Sequence, residues 1–237
     1  MCKLFLTADE SAKLNIAAPW QIAEAALLFL LGISLSALPG FLIKEPQTIL
    51  GIELLSYALQ ISVFIIGPCL LVRRKYGLSL AALGITRPSW QMIVGIGCCG
   101  GLALYLLNLV LTTLLTAILP AAWIKEQSVV LLLQMAASPG EYAAVILIIL
   151  VLAPLGEELL FRAFLYPALR KHLRPGKAIL LCGLIFAAVH LNLLAFLPLC
   201  AAGIGFSYMY EKHHNLFCNV TAHMLWNGLS LLLYFIQ

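Results

Sequence analysis

Charged residues are scarce in this chain, and no long polar stretch interrupts it. Asp, Glu, Lys and Arg make up 10% of the 237 residues, whereas hydrophobic residues make up 63%. The mean hydropathy of +1.03 lies far above that of soluble domains, in which roughly half of the residues are apolar. The net charge of +4 is modest and indicates membrane topology rather than nucleic-acid binding. We therefore predict an integral membrane protein in contact with the lipid bilayer.

Several familiar motifs are also missing. The seven cysteines form no CxxC pairs, so we expect apolar packing residues rather than a zinc or redox site. The absence of HExxH excludes a thermolysin-type zinc helix. The N-terminal MCKLFLTADESAKLN carries acids and no early apolar run, which is unlike a signal peptide. No internal repeat is present, although inverted repeats are common in transporters.

What the chain does contain is a series of apolar segments. A membrane span needs about 20 apolar residues, and helices satisfy their own backbone groups in lipid. We predict an all-α, polytopic transmembrane helix bundle of about seven spans, in which short links make the last four antiparallel neighbours. Residues 120–141 form a longer link that we expect at the membrane interface. The predicted segments are 19–43, 49–72, 89–119, 142–171, 177–192, 194–210 and 215–236.

The distribution of Lys and Arg predicts the orientation, because cytoplasmic loops carry an excess of both. Lys44 and Lys125 are external if the N-terminus is cytoplasmic, and Arg162 lies within a span. The other 11 of the 14 basic residues then lie inside: Lys3, Lys13, Arg73, Arg74, Lys75, Arg87, Arg170, Lys171, Arg174, Lys177 and Lys212.

Two groups of residues near the predicted span ends have simpler interpretations. Trp20, Trp90 and Trp123 are expected to form an aromatic belt at the membrane interfaces. His213 and His214 are adjacent, so they diverge on a helix, and we interpret them as part of a solvated turn rather than as metal ligands.

Ionisable groups interrupt the fourth segment in the stretch LAPLGEELLFR. Each charge in the middle of a span costs roughly 2.5 to 3.5 kcal/mol on insertion scales, and such groups usually mark function. Glu158 and Arg162 are four residues apart and share a helix face, so they can form an ion pair. Glu157 is turned by about 100° and stays free. The structural alternative is a buried ion pair with a spare acid.

Two further helices carry polar groups at a similar depth. His190 lies in FAAVHLN near the end of the fifth segment, and His223 and Asn227 share a face of the seventh. One glutamate and two histidines that converge are suited to general acid–base chemistry. The same trio, Glu157, His190 and His223, could bind zinc, since three protein ligands plus water are the catalytic pattern.

Pro154 and Gly156 precede Glu157 and Glu158 in the fourth segment. A proline loosens the hydrogen-bond ladder of a helix. The loosened backbone could admit water or a substrate strand, and a mere packing kink is the alternative interpretation.

Three short motifs together carry a family resemblance. GEELLFR fits EExxxR, FAAVH fits FxxxH with Phe186 and His190, and HMLWN fits HxxxN with His223 and Asn227. Their order and spacing resemble the CAAX-protease and bacteriocin-processing family of intramembrane proteases (CPBP, also called Abi) over about residues 140–237. We therefore divide the chain into variable N-terminal transmembrane helices, residues 1–141, and a catalytic core, residues 142–237.

The resemblance implies an intramembrane endopeptidase that hydrolyses a peptide bond of a membrane-associated peptide or protein. Glu157 would activate a water molecule, and His190 would position or deprotonate it. His223 and Asn227 would stabilise the oxyanion. We favour a glutamic-type protease without a cofactor, with zinc held by Glu157, His190 and His223 as the alternative.

The remaining motif residues, Glu158, Arg162 and Phe186, would support the site structurally. Two other functions stay open: a non-catalytic member of the same family acting in bacteriocin self-immunity, and a proton-coupled transporter. The short chain favours a bacterial inner membrane, with the N-terminus in the cytoplasm.

Overall fold

Helices form most of the described part of the protein. The computed structural model describes residues 18–43, 49–120 and 128–236, and no strand occurs within these residues. This described part contains eight helices of eight residues or more: α1 (Ile22–Leu42), α2 (Ile49–Lys75), α3 (Trp90–Ile118), α4 (Ser128–Met135), α5 (Pro139–Arg170), α6 (Pro175–Ala188), α7 (Leu193–His213) and α8 (Leu216–Ile236).

The predicted fold class is confirmed. Among the described residues, six helices are long and apolar enough to cross a membrane, and α6 is a shorter apolar helix of 14 residues. The seven predicted segments coincide with α1, α2, α3 and α5 to α8 within a few residues. The structure is therefore a polytopic helix bundle in which α6 falls short of the roughly 20 residues of a full span.

Two ion pairs join helix ends at the same end of the bundle. Lys75 Nζ at the end of α2 lies 2.6 Å from Glu24 Oε1 at the start of α1. Arg170 Nε at the end of α5 lies 3.1 Å from Glu211 Oε2 near the end of α7. We call the end of the bundle that carries these two pairs the basic end. The chain must therefore return to the opposite end between α5 and α7, and α6 with its following turn makes this return.

Helix α5 is irregular around Pro154. A π-helical stretch, Ile148–Leu152, precedes Pro154, and a second one, Glu158–Leu165, begins directly after Glu157. The predicted loosening of the helical ladder is thus present as two widened stretches. Such π-helical turns occur often at functional sites.

Small residues allow α6 and α7 to pack closely. A Cβ atom on Gly183 would lie 2.6 Å from Ile204 Cγ1 and 2.8 Å from the Ile204 backbone nitrogen. A Cβ on Gly203 would lie 2.9 Å from Gly183 Cα. Only glycine fits at both positions, and close backbone approach at small residues is typical of helix packing in membranes.

The link between α3 and α5 contains a short helix. Leu132 and Leu133 of α4 are buried in an apolar cluster with Leu50, Val145 and Leu231. This part of the link therefore packs on the bundle. Residues 121–127, which include Trp123 and Lys125, lie outside the described residues, as do Lys3, Lys13 and Lys44.

The prediction of an aromatic belt is wrong for Trp20. Its side chain is only 1% exposed, and the ring stacks on Phe164 with 4.9 Å between the ring centroids. Trp20 Nε1 donates a hydrogen bond of 2.7 Å to the Phe164 carbonyl oxygen, which satisfies its polar group inside the protein. Trp90 is 72% exposed, as a belt residue would be.

The turn after α7 is less solvated than expected. His214 is half-buried, with a left-handed backbone (φ 43°) that ends the helix, and its ring packs on Tyr210. Burial lowers the pKa of the His214 imidazole. His213 is also half-buried. These two histidines are therefore part of the packing at the basic end.

The close approach of α6 and α7 predicts an unusual effect of alanine. We expect Gly183→Ala to destabilise the fold by about 1 to 3 kcal/mol, because the added methyl group overlaps the α7 backbone. Gly176, on the same helix, has open space around it, so Gly176→Ala should be neutral or slightly stabilising. Thermal unfolding in detergent micelles measures both. Equal shifts of the two midpoints would contradict the packing described here.

Candidate active site

The four residues predicted to be catalytic line one cavity of about 470 Å³ inside the bundle. Glu157 comes from α5, His190 from the turn after α6, and His223 and Asn227 from α8. Their similar depth, which the sequence predicted, is seen in this shared cavity. The structure thus brings together side chains that are up to 70 positions apart along the chain.

Glu157 and His223 face each other without a direct hydrogen bond. Glu157 Oε2 lies 3.9 Å from His223 Nε2, beyond the usual reach of an N–H···O bond. The side chain of Glu157 is 25% exposed, towards the cavity, and that of His223 is 4% exposed. A polar gap of this size is one in which a single water molecule can contact both atoms.

The other nitrogen of His223 is held by the second glutamate. His223 Nδ1 lies 2.9 Å from Glu158 Oε1. An ionised carboxylate only accepts, so the hydrogen-bond pattern assigns the proton to Nδ1. This contact fixes the plane of the imidazole ring and directs Nε2 towards Glu157.

Glu158 is fully buried and bonded on both oxygens. Arg162 Nη1 donates to Glu158 Oε1 over 2.8 Å, so the ion pair predicted from the four-residue spacing is present. Asn219 Nδ2 donates to Glu158 Oε2 over 3.1 Å and to the Phe206 carbonyl oxygen over 2.8 Å. A buried charge needs such partners, because removal from water costs several kcal/mol.

Aromatic rings surround the arginine of this pair. The Arg162 guanidinium carbon lies 4.2 Å from the ring centre of Phe186 and 5.1 Å from that of Phe206. Arg162 Nε and Nη2 have no hydrogen-bond partner among the described residues. Cation–π attraction offsets part of their lost hydration. Phe186 therefore contacts the charge directly.

His190 is placed by the carbonyl group one helical turn before it. His190 Nδ1 donates to the Phe186 carbonyl oxygen over 2.7 Å, since a carbonyl oxygen can only accept. The His190 ring also packs edge-on against Phe186, with 4.9 Å between the centroids. The other ring nitrogen, Nε2, is not used by this hydrogen bond, and His190 lines the cavity. Within the described residues, His190 makes no hydrogen bond or ring contact with Glu157 or His223, so it shares their cavity rather than their hydrogen bonds.

Asn227 lies one helical turn beyond His223 on the same face of α8. Asn227 Nδ2 donates to the Ile149 carbonyl oxygen over 2.9 Å. Ile149 belongs to the first π-helical stretch of α5, so this bond ties α8 to the irregular helix. The amide carries a second N–H that this bond does not use.

Sequence reasoning missed Asn219. It is 1% exposed and bonds Glu158, yet it lies outside the three motifs. The sequence feature that could have identified it is its position four residues before His223. This spacing places Asn219, His223 and Asn227 on one face of α8. Trp226 packs on Phe206 beside His223.

The geometry does not assemble the alternative zinc site. Across the described ranges, no three His, Cys, Asp or Glu side chains are grouped to hold a metal ion. Glu157 and His223 are near each other, but His190 does not complete a three-ligand set with them.

Comparison with known proteins agrees with the motifs. Residues 139–229 match the model of the family described as type II CAAX prenyl endopeptidase, Rce1-like. The match begins at the first residue of α5 and includes all seven motif residues. The predicted family relationship is confirmed for this part of the chain. No curated protein and no solved structure matches the chain.

The family match supports an intramembrane endopeptidase of the CAAX type. Together with the six candidate spans, it indicates an integral membrane protein that acts on a membrane-associated protein.

The buried ion pair predicts a large stability loss when one partner is removed. We expect Arg162→Met to cost about 3 to 5 kcal/mol, because Glu158 would remain as an uncompensated buried charge. Arg170→Met removes the partly buried pair with Glu211 and should cost less, about 1 kcal/mol, because Glu211 keeps its hydrogen bond from Tyr166 and some contact with water. The free energies of unfolding of both variants, measured in the same detergent, give both values.

Adding Glu158→Gln to Arg162→Met should recover part of the loss, since the unpaired charge is then gone. If Arg162→Met and Arg170→Met were equally mild, the buried pair would not organise the site.

Proposed function

We propose that this protein is a glutamic-type intramembrane endopeptidase in which Glu157 activates the attacking water. The observation that carries the proposal is the 3.9 Å gap between Glu157 Oε2 and His223 Nε2, at the wall of a cavity of about 470 Å³. A carboxylate and an imidazole on two sides of such a gap are placed to hold water and a polarised carbonyl group together.

Peptide hydrolysis in this cavity begins with proton transfer. The Glu157 carboxylate takes a proton from water, and the resulting hydroxide attacks the carbonyl carbon of the scissile bond. His190 Nε2, which is directed to the cavity by the Nδ1–H bond to the Phe186 carbonyl, positions this water. The attack places a negative charge on the carbonyl oxygen.

Two groups on α8 stabilise that oxyanion. Asn227 offers the N–H that its bond to Ile149 leaves unused. His223 donates from Nε2 when the ring is protonated, and the Glu158 carboxylate at Nδ1 stabilises the positive charge of that ring. The carbon–nitrogen bond then breaks as Glu157 returns its proton to the leaving nitrogen.

The supporting residues act through these groups. Arg162 and Asn219 hold Glu158, and Glu158 holds His223. The substrate is a peptide or protein that reaches the cavity within the membrane, and no step of the mechanism uses a cofactor. This arrangement favours catalysis over the alternatives, self-immunity by binding and proton-coupled transport, because every side chain of the hydrolytic set lines one cavity.

Removal of the Glu157 charge tests the mechanism. We expect Glu157→Gln to abolish cleavage of a membrane-peptide library, read by mass spectrometry, with an unchanged unfolding midpoint. Asn227→Ala should retain cleavage reduced by about 10² to 10³, the usual cost of one oxyanion donor. Ser230→Ala is the matched control, since Ser230 lines the same cavity on α8 but takes no part in the chemistry.

A chelator arm separates the glutamic from the zinc mechanism. Cleavage that persists in the chelator supports the glutamic mechanism, whereas loss that zinc restores would assign the same residues to a metal site. Equal cleavage by the wild type and Glu157→Gln would remove Glu157 from the reaction.

The excess of Lys and Arg at the basic end supports a cytoplasmic location for that end, in a bacterial inner membrane. In a variant without native cysteines, Arg174→Cys at the basic end should react with a membrane-impermeant thiol reagent only in inverted vesicles. Gly140→Cys, exposed at the opposite end, should react only in intact cells. The reverse labelling pattern would overturn this orientation.

A further inference from the structure

A second polar feature lies on α2, outside the family motifs. Glu53, Ser56, Tyr57 and Gln60 are separated by three, four and seven positions, so they form one face of the helix. Apart from Ser62, residues 49–71 of this helix are otherwise apolar, and the mean hydropathy of the candidate span is 2.0. Polar groups on one face of a membrane helix usually line a substrate path.

This polar face borders a groove between α1 and α2 with a volume of about 370 Å³. Ser36 and Gly40 of α1 form the opposite wall. Tyr57 and Gln60 line both this groove and the cavity that contains Glu157. The groove, which we call the α2 groove, therefore adjoins the candidate active site, with the Tyr57 and Gln60 side chains between the two.

The distance along the groove can be estimated from helix contacts. A Cβ on Gly156 would lie 3.4 Å from Ile61 Cγ2 and 3.4 Å from Phe64 Cβ, so Glu157 lies level with this part of α2. Glu53 precedes Ile61 by eight positions, or about 12 Å of helix. An extended peptide covers about 12 Å in roughly four residues.

Glu53 is a free negative charge at the outer part of this groove. It is exposed and makes no hydrogen bond or ion pair with any described residue. Glu141, near the same end of the bundle, is instead used in the cap of α5, where its carboxylate accepts from Ser138 N. Glu53 lies four positions after the start of α2, where the long side chain of a substrate lysine or arginine can reach it.

We propose that the α2 groove binds an extended segment of the substrate, and that Glu53 pairs with a lysine or arginine about four residues from the scissile bond. The numbering from the scissile bond rests on the proposed function, whereas the charge preference of the groove does not. Glu53 is a specificity-determining residue, and it selects cationic segments by attraction and rejects acidic ones by repulsion.

Peptide binding tests the groove separately from cleavage. Fluorescent peptides that carry Lys or Glu four residues from the central bond, on either side, are titrated onto the Glu157→Gln protein in detergent. Mass spectrometry checks that the peptides stay intact. We expect the Lys peptide on one side to bind about tenfold more tightly than its Glu counterpart, since attraction is replaced by repulsion.

Two changes at Glu53 decide the outcome. Glu53→Gln should abolish the preference, and Glu53→Lys should invert it in favour of the Glu peptide. Glu141→Gln is the matched control, because it removes a carboxylate that borders neither cavity, and it should keep the preference. The preference should also fall when the lysine is moved to the second or seventh position.

Equal binding of Lys and Glu peptides, binding of neither, or a Glu53→Lys variant that does not invert the preference would overturn the proposal. The two proposals fail in different ways. Loss of the charge preference with Glu157-dependent cleavage intact refutes the groove alone. A preserved preference without Glu157-dependent cleavage refutes the hydrolytic mechanism alone.

Discussion

The buried carboxylate of Glu158 is the interaction on which the rest of the site depends. It accepts from Arg162 on its own helix and from Asn219 on α8, and it contacts His223 Nδ1. Because each partner needs the same carboxylate, α5 and α8 are fixed in position and in rotation. The neighbouring Glu157 is then left to face the cavity as the only unpaired acid of the EE motif.

This arrangement explains why charged groups occur where a membrane penalises them. Arg162 compensates Glu158, and the rings of Phe186 and Phe206 shield the guanidinium group. Two buried charges thus hold a third, Glu157, at the wall of a polar cavity. The π-helical stretches of α5 contribute as well, since the Ile149 carbonyl of the first stretch accepts from Asn227. The irregular helix and the charge cluster therefore form one unit.

Local spacing made much of this predictable. The helices followed from apolar runs, and the Glu158–Arg162 pair from a separation of four residues. Contacts between residues far apart in the chain could not be predicted from local spacing. Trp20 resembled an interface residue because its hydrogen-bond partner, the Phe164 carbonyl, lies 144 positions away. The role of Asn219 depends on a contact between two helices, so its spacing from His223 alone did not reveal it.

The role of the polar face of α2 also could not be predicted from the sequence. Its spacing was visible in the sequence, but its meaning depends on the shared walls of two cavities. The sequence also gave no reason to place the α2 groove beside Glu157, because the contact between Gly156 and α2 arises only from the packing of α5.

The central claim is that Glu157 activates water and does not itself become acylated. A single turnover in ¹⁸O-labelled water, followed by mass spectrometry of the product and of the protein peptide containing Glu157, tests it most directly. The account predicts one ¹⁸O atom in the new carboxyl terminus of the product and none in Glu157. Labelled oxygen in Glu157 would show an acyl-enzyme anhydride and would contradict the account.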